Sequence, residues 1–564
     1  MEIGQSSRGR RSWVWWVGGV FLLLAVAAGV VVEYVVHHAE PIVRRRVIAS
    51  FEQRFNSPVE LDALHISVFK GLQVTGEGLR ILRIAGPERP DAQEKSMGGA
   101  GGAAPMLSVK SFEFHAGVRE LFEPTMRVAV VRVSGLDLNI PPKGERGQLL
   151  HHDTAKKQPK FSIVLDEIVV SNMTLTVETN KPGKMPLVFP IRNVTLHDVG
   201  RDKAFPFEAW LVNAKPVGDI HSTGRFGPWV DDEPRDTPIS GGYSFTHADL
   251  GPIKGVAGIL SSTGSYAGTL GEIGVVGTTD TPDFSLDTAV HAVHLKTAFD
   301  ATVDGTSGDT ILNHVHATFL NTELEASGKI VRAGGRHDTR EGVTDVSGHF
   351  IDIAVTSDHA RMEDILELAA KTKPAVMRGA TTLRARVQIP PGKVSVSKKV
   401  RVQGTFAIRD AMFNNAKWQD TVDKLSVRAS GKLKETESAP ADRVASEMGG
   451  TFALADGVVA IPKLHYQMPG AEVNLAGKYS LDGKAMDFSG TVKTAATASQ
   501  MLKGWKSLVA KPFDPLLRKD GAGLEVPITV HGTEDAPKLG LDMGKLGAEI
   551  FSRHKKEPAA EGHD

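Results

Sequence analysis

The chain has 564 residues, 41% hydrophobic and 23% charged, enough material for a sizeable core and for more than one domain or one long repetitive one. Its 66 basic and 66 acidic side chains cancel, so no electrostatic footprint for nucleic acid stands out. Cysteine is absent, which excludes disulfides, thiolate nucleophiles, cysteine-ligated zinc or iron–sulfur centres and a lipidated N-terminal cysteine.

Residues 13–32 carry no charge. At 1.5 Å per helical residue they reach about the ~30 Å of a bilayer's hydrocarbon core. Trp13, Trp16, Phe21, Leu23 and Val32 are the expected anchor residues, with Trp13, Trp15 and Trp16 at the interface. Arg8, Arg10 and Arg11 before the span favour a cytoplasmic N-terminus, against which Arg44, Arg45 and Arg46 weigh on the far side. A cleaved export signal is the rival, since Ala25-Val26-Ala27 has the small-x-small form of a cleavage site. The apolar run is longer than a signal core and favours retention.

Beyond Pro41, Ile42, Val47, Ile48, Phe51 and Phe55 recur at helical spacing among arginines. This predicts an amphipathic helix that packs onto the first sheet, or lies on a membrane surface, or both. From Ser57 the period changes to two, as in Leu64, Ile66, Val68, then Leu136, Leu138, Ile140, and later Val473, Leu475 with Gly477, Tyr479, Leu481. Lys181-Pro182-Gly183, Asp304-Gly305, Asp456-Gly457 and Asp482-Gly483 separate such runs, and Asp-Gly between alternating runs is a strong hairpin signal. The expected body is therefore mainly β, an extended, twisted antiparallel sheet of repeated hairpins. Short helices are expected near Met362 to Leu368 and Ser499 to Val509. Gly277 to Asp287 and Gly532 to Asp542 share Gly, Thr, Asp, Pro, Leu and Asp at matching places, which reads as a duplicated sheet unit with a Gly-Thr turn in each copy.

Chain order then gives a cytoplasmic basic tail at 1–12, a transmembrane anchor at 13–36 and a β-rich region with the amphipathic helix at 37–230. A middle β-repeat region at 231–400, a C-terminal β region at 401–553 and a disordered tail at 554–564 follow.

No catalytic constellation emerges. There is no G-x-S-x-G elbow, P-loop, H-E-x-x-H or dinucleotide fingerprint, so no catalytic residue, no cofactor and no metal is expected, and the chain does not read as an enzyme. His151-His152-Asp153 lies in a polar loop beside lysines. His314 and His316 share a strand face, but the sequence fixes no third ligand beside them. Asp300, Asp304 and Asp309 lack calcium-loop spacing and read as hairpin residues.

Three blocks carry a resemblance. They are the anchor followed by Phe51 to Ser67 and Gly71 to Ile81; the stretch from Tyr243 to Val331; and Gly404-Thr-Phe-Ala-Ile-Arg-Asp-Ala through Gly450-Thr-Phe-Ala-Leu-Ala-Asp-Gly and Met468 to Gly483 to Gly532-Thr-Glu-Asp-Ala-Pro. Over about half its length the chain thus resembles the AsmA-like family, envelope proteins whose larger relatives are described as bridge-like lipid transfer proteins. The resemblance implies a curved β-groove with an apolar concave face. It also implies a single-pass inner-membrane protein with its bulk in the periplasm, phospholipid as ligand, a role in outer-membrane biogenesis and other envelope proteins as partners. Val473, Leu475, Leu481 and Phe488 are candidates for the groove face, with the opposite register left open. A structural assembly factor that moves nothing is the alternative.

Overall fold

Alternating apolar residues dictate strands, and the computed structural model is mainly β, with strongly curled sheet and few helices. It describes most of residues 40–52, residues 57–67, 72–82, 105–116, 125–140, 162–178 and 187–199, and most of 203–333, 348–497 and 523–541, together with Val26. The anchor candidates Trp13, Trp16, Phe21, Leu23 and Val32, the loop His151-His152 and the predicted helix 499–509 lie outside the described residues. Among the described residues no helix is long and apolar enough to cross a membrane. The chain divides into two units, the first of residues 1–213, 220–242 and 268–270, the second of residues 214–219, 243–267 and 271–564.

In the first unit the described residues of 40–52 are helical. Val43 and Val47 are buried there against Leu61, Leu64, Val74, Leu79, Val109 and Phe112, with Ile48 and Phe51 at the margin. The predicted amphipathic helix therefore packs on the first sheet, and Arg44 ties it down by donating to the Leu61 carbonyl at 2.6 Å. Its strands are β1 (Val59–Glu60), β2 (Ala63–Ser67), β3 (Leu72–Ile81), β4 (Leu107–Ala116), β5 (Thr125–Ile140), β6 (Ser162–Val177), β7 (Leu187–Val199) and β8 (Phe205–Ala214). At Gly78, where φ is +67°, the buried parity of β3 changes from Val74 to Leu79 and Ile81 while the pairing register with β4 stays continuous.

One pairing departs from the expected hairpins: β5 and β6 are parallel. A parallel pair needs a long crossover, and the connection here is residues 141–161, the polar stretch that reads as a loop.

The remaining strands are β9 (Val217–Phe226), β10 (Pro238–Asp249), β11 (Val256–Ala257), β12 (Ile259–Thr269), β13 (Glu272–Leu286), β14 (Val293–Val303), β15 (Thr310–Phe319), β16 (Thr322–Arg332), β17 (His349–Arg361), β18 (Met377–Ile389) and β19 (Arg401–Phe413). They are followed by β20 (Ser446–Ala455), β21 (Val458–Met468), β22 (Ala471–Ser480), β23 (Met486–Thr494), β24 (Leu524–Gly532) and β25 (Pro537–Leu541). In the second unit β13 to β25 pair antiparallel, each with the next. The Asp456-Gly457 signal becomes a two-residue turn with φ of 52° and 75°, the left-handed pair that matches strand twist.

The repeat at Gly277 is not a turn. Gly277 and Thr278 lie inside β13, paired with Phe299 and Ala298, and only the register shift between Thr281 and Phe284 interrupts the ladder. Period two simply continues through the glycine. The Gly532 copy does end a strand and leads into β25.

Candidate functional site: an uncharged sheet face

Strand register converts alternation into a surface. In the second unit one row of directly paired residues runs Val275, Ala301, Leu312, Gly328, Ile353, Val387, Val402, Leu454, Val459, Tyr479, Met486, Gly532 and Pro537 from β13 to β25. No residue in the row carries a charge. The adjacent row on the same face, Phe299, Val315, Ala326, Val355, Ala385, Gly404 and Phe452, is equally uncharged. Of the first row as far as Gly532, Ala301 is buried and the rest are half-buried, neither packed away nor fully exposed. At ~4.8 Å per strand the band follows a contour of about 58 Å.

Glycines give this face its curl. At Gly404, Gly477 and Gly490 an added Cβ would collide with the backbone carbonyl of Arg384, Asp487 and Asn474 on the neighbouring strand. Only a residue without a Cβ permits that approach. Phenylalanine stands opposite several of these glycines, as in Gly404 with Phe452, Phe406 with Gly450 and Phe488 with Gly477. A ring can fold over the bare backbone and keep the face apolar.

One rim of the band is roofed. The helix Ala416–Ala429 buries Val422 and Ala429 against Ile408, Tyr466, Met468 and Val473, and Met362 of the helix Met362–Ala369 packs at the same cluster. Asn415 caps the first of these helices, its side chain accepting from the backbone N–H of Lys417 and Trp418. Beneath the roof Tyr466 accepts a hydrogen bond from Ser446 at 2.8 Å. Its phenol is pushed up from the ordinary tyrosine value, first by burial and then by the nearby Asp423 carboxylate, with the Ser446 bond opposing.

The opposite face is polar and charge-paired. Arg386 makes two bonds to Asp352, at 2.7 and 2.6 Å, and His294 meets Asp280. The Arg386 hydrogen bond, more than its charge, holds the Asp352 carboxyl below the usual aspartate value, while burial opposes. His314 and His316 both meet Glu325, at 2.8 and 2.7 Å, a carboxylate partner that the sequence alone does not assign. Among the described residues no group of three or more His, Asp or Glu side chains is arranged to hold a metal ion. Asp304 accepts from the backbone N–H of Thr306 and Ser307, as a hairpin residue does.

The structure brings three of the four groove candidates together. Val473, Leu475 and Phe488 share the uncharged face, where Val473 pairs with Val492, Leu475 with Gly490 and Phe488 with Gly477. Val473 is buried beneath the roof helix, whereas Leu475 and Phe488 are half-buried. Leu481 lies beyond the end of β22, where its N–H donates to the Gly457 carbonyl, and does not extend the row. The roof helix itself is absent from the sequence reading, although Asn415 followed by Trp418, Val422, Leu425 and Ala429 is a capped, helical-period signal.

No family model, no curated protein and no solved structure matches the chain.

Proposed function

We propose that the second unit's uncharged face is a trough for the acyl chains of a phospholipid. On this reading residues 13–36 hold the chain in the inner membrane with its body in the periplasm, where it handles or transfers phospholipid and contributes to outer-membrane biogenesis. The single observation that supports it is the paired row from Val275 to Gly532, which crosses twelve strands without a charge and, Ala301 apart, is half-buried. A phospholipid in water exposes some thirty methylenes, a cost of roughly 25 kcal/mol at ~0.8 kcal/mol each. A continuous apolar band lowers that cost without any chemical step, which fits the absence of a catalytic motif in the sequence. The resemblance to the AsmA-like family points the same way.

A second reading, a structural or assembly factor for the envelope that transports nothing, draws on the roof. The cluster under Ala416–Ala429 is a filled core, as a scaffold needs. The two readings part over the half-buried rows away from that helix.

The test is residue-specific photo-crosslinking in cells. A photoreactive side chain at Val402 or Phe488 is expected to label phospholipid, and one at Thr405 or Asp487, on the polar face, is not. Labelling that is absent from both faces, or equal on both, would reject the trough.

A further inference from the structure

Two strand ends of the second unit meet where a flat ladder would hold them far apart. β13 and β19 stand six steps apart, about 29 Å at ~4.8 Å per strand. Asp287 lies just past the end of β13 and closes the sequence repeat that begins at Gly277. Its carboxylate accepts from the hydroxyls of Ser395, at 2.6 Å, and Ser397, at 2.7 Å, in the segment that leads into β19. Ser395 stands at the N-cap position of the short helix Val396–Lys399, yet its hydroxyl makes no capping bond and turns to Asp287 instead. Gly255 completes the junction: its carbonyl accepts from the Asp287 N–H, and a Cβ added to it would press on Ser395 and Val396.

Register places the two sides of this junction on opposite rims of the sheet. The end of β13 lies on the rim of the helix Met362–Ala369, which follows β17, whereas Ser395 lies past the end of β18 on the other rim. Twist carries one to the other, because about 20–25° per strand accumulates to about 120–150° over six steps. The curl closes round the uncharged face, so the two rims are the lips of the trough. β13 pairs with β11 and β14, and β19 with β18 and β20, and no ladder joins β13 to β19 among the described residues. Gly392, at φ +122° with open space where a side chain would stand, gives the Ser395 segment a pivot.

We propose that this junction is a latch across the mouth of the trough, closing its lips at one point and opening to admit a phospholipid from the side. The proposal rests on the trough reading. Opening breaks two hydroxyl–carboxylate bonds and no strand pairing, so the sheet stays whole while the slit widens. Asp287 is exposed, and polar groups within reach of water exchange one partner for another at small net cost. A junction that only braced the sheet would pair backbone or bury apolar side chains, as the cluster under Ala416–Ala429 does.

The chain has no cysteine, so Asp287→Cys with Ser395→Cys can be joined at one place by a reductant-cleavable bis-maleimide. The full chain in amphipol is offered vesicles of phosphatidylethanolamine and phosphatidylglycerol carrying a fluorescent phosphatidylethanolamine, and uptake is followed before and after cleavage. Crosslinked protein is expected to load roughly tenfold more slowly than the same protein after cleavage, as gating by a closed lid requires. Val276→Cys with Asp300→Cys, a directly paired position on the polar face, is the control whose crosslink should leave uptake unchanged. Asp287→Ala, which frees the lips without a crosslink, should load faster than the parent. Failure of Asp287→Cys and Ser395→Cys to crosslink, equal uptake by crosslinked and cleaved protein, or a parental rate in Asp287→Ala would overturn the latch and leave the trough standing. Absence of uptake by the parent chain would sink the trough reading and the latch with it.

Discussion

Replacing Leu475 by aspartate tests the trough at the margin of the roofed cluster, against which Leu475 packs. Leu475 is half-buried, pairs with Leu464 and Gly490, and lies one row away from the roofed Val473. Because half of its surface is already covered, an acyl chain laid over it removes the remaining part of a leucine's burial energy, about 1 kcal/mol. A carboxylate forfeits that and must also be desolvated, at least about 1–3 kcal/mol more for an unpaired polar group. The sum, about 2–4 kcal/mol, corresponds to a loss in lipid affinity of roughly thirtyfold or more. Ala476→Asp, one residue along and exposed on the polar face, is the matched control and should leave the lipid load unchanged. The assay is lipid extraction and native mass spectrometry of both variants, with circular dichroism to establish that both fold. Retention of the parental lipid load by Leu475→Asp, or equal loss in Ala476→Asp, would refute the reasoning.

Four further outcomes are expected. Asp364 is buried at the start of the helix Met362–Ala369 and accepts from the Asn321 N–H and the Thr322 hydroxyl; Asp364→Ala strands both donors, costing about 2–4 kcal/mol, and hydrogen exchange at Asn321 and Arg361 should quicken. Asn415→Ala removes the cap of the roof helix, a loss of about 1 kcal/mol read as faster exchange in its first turn. Asp352, held below the usual aspartate value by Arg386, contributes stability that is present above the unfolded value of 3.8 and is lost as pH falls through the lower folded value; carbon-detected titration of Arg386→Ala should show the carboxyl moving up. Tyr466, with its folded value raised, contributes stability that is present below the unfolded value of 10.0 and is lost as pH climbs through the folded value, and absorbance should show it ionising last, a lag that Tyr466→Phe removes.

Much of the sheet is legible in the sequence because period two and turn chemistry are local. The Asp456-Gly457 turn and the helix at Met362 follow from short-range rules alone. The parallel pairing of β5 with β6 does not, since strand direction depends on where a long crossover returns. Buried parity is also hard to carry through a left-handed residue, and Gly78 shows why: it looks like any strand glycine until its positive φ is known. Among the described residues of 40–52, Val43 is more buried than the expected Val47, because one helical position rotates the face by about 100°. For the candidate site, alternation identifies Val473, Leu475 and Phe488 as residues of one face but cannot reveal that Val473 is roofed. That depends on contact with Val422, some fifty positions away in the chain. Likewise His314 and His316 are visible as a pair, yet Glu325 joins them only through the register of β15 with β16.

Where Gly404, Gly450 and Gly490 lack a Cβ, a carbonyl of the neighbouring strand, that of Arg384, Lys463 or Asn474, takes the space a side chain would need. At Gly477 the ring of the opposite Phe488 reaches into the space that the missing Cβ leaves and keeps that surface apolar. Among the described residues the sheet draws on long antiparallel pairing, on charge pairs such as Arg386 with Asp352 on the polar face, and on the capped helix at the rim. What the pairing leaves half-covered is then available to a ligand, and its uncharged character is a property of the register rather than of any single residue.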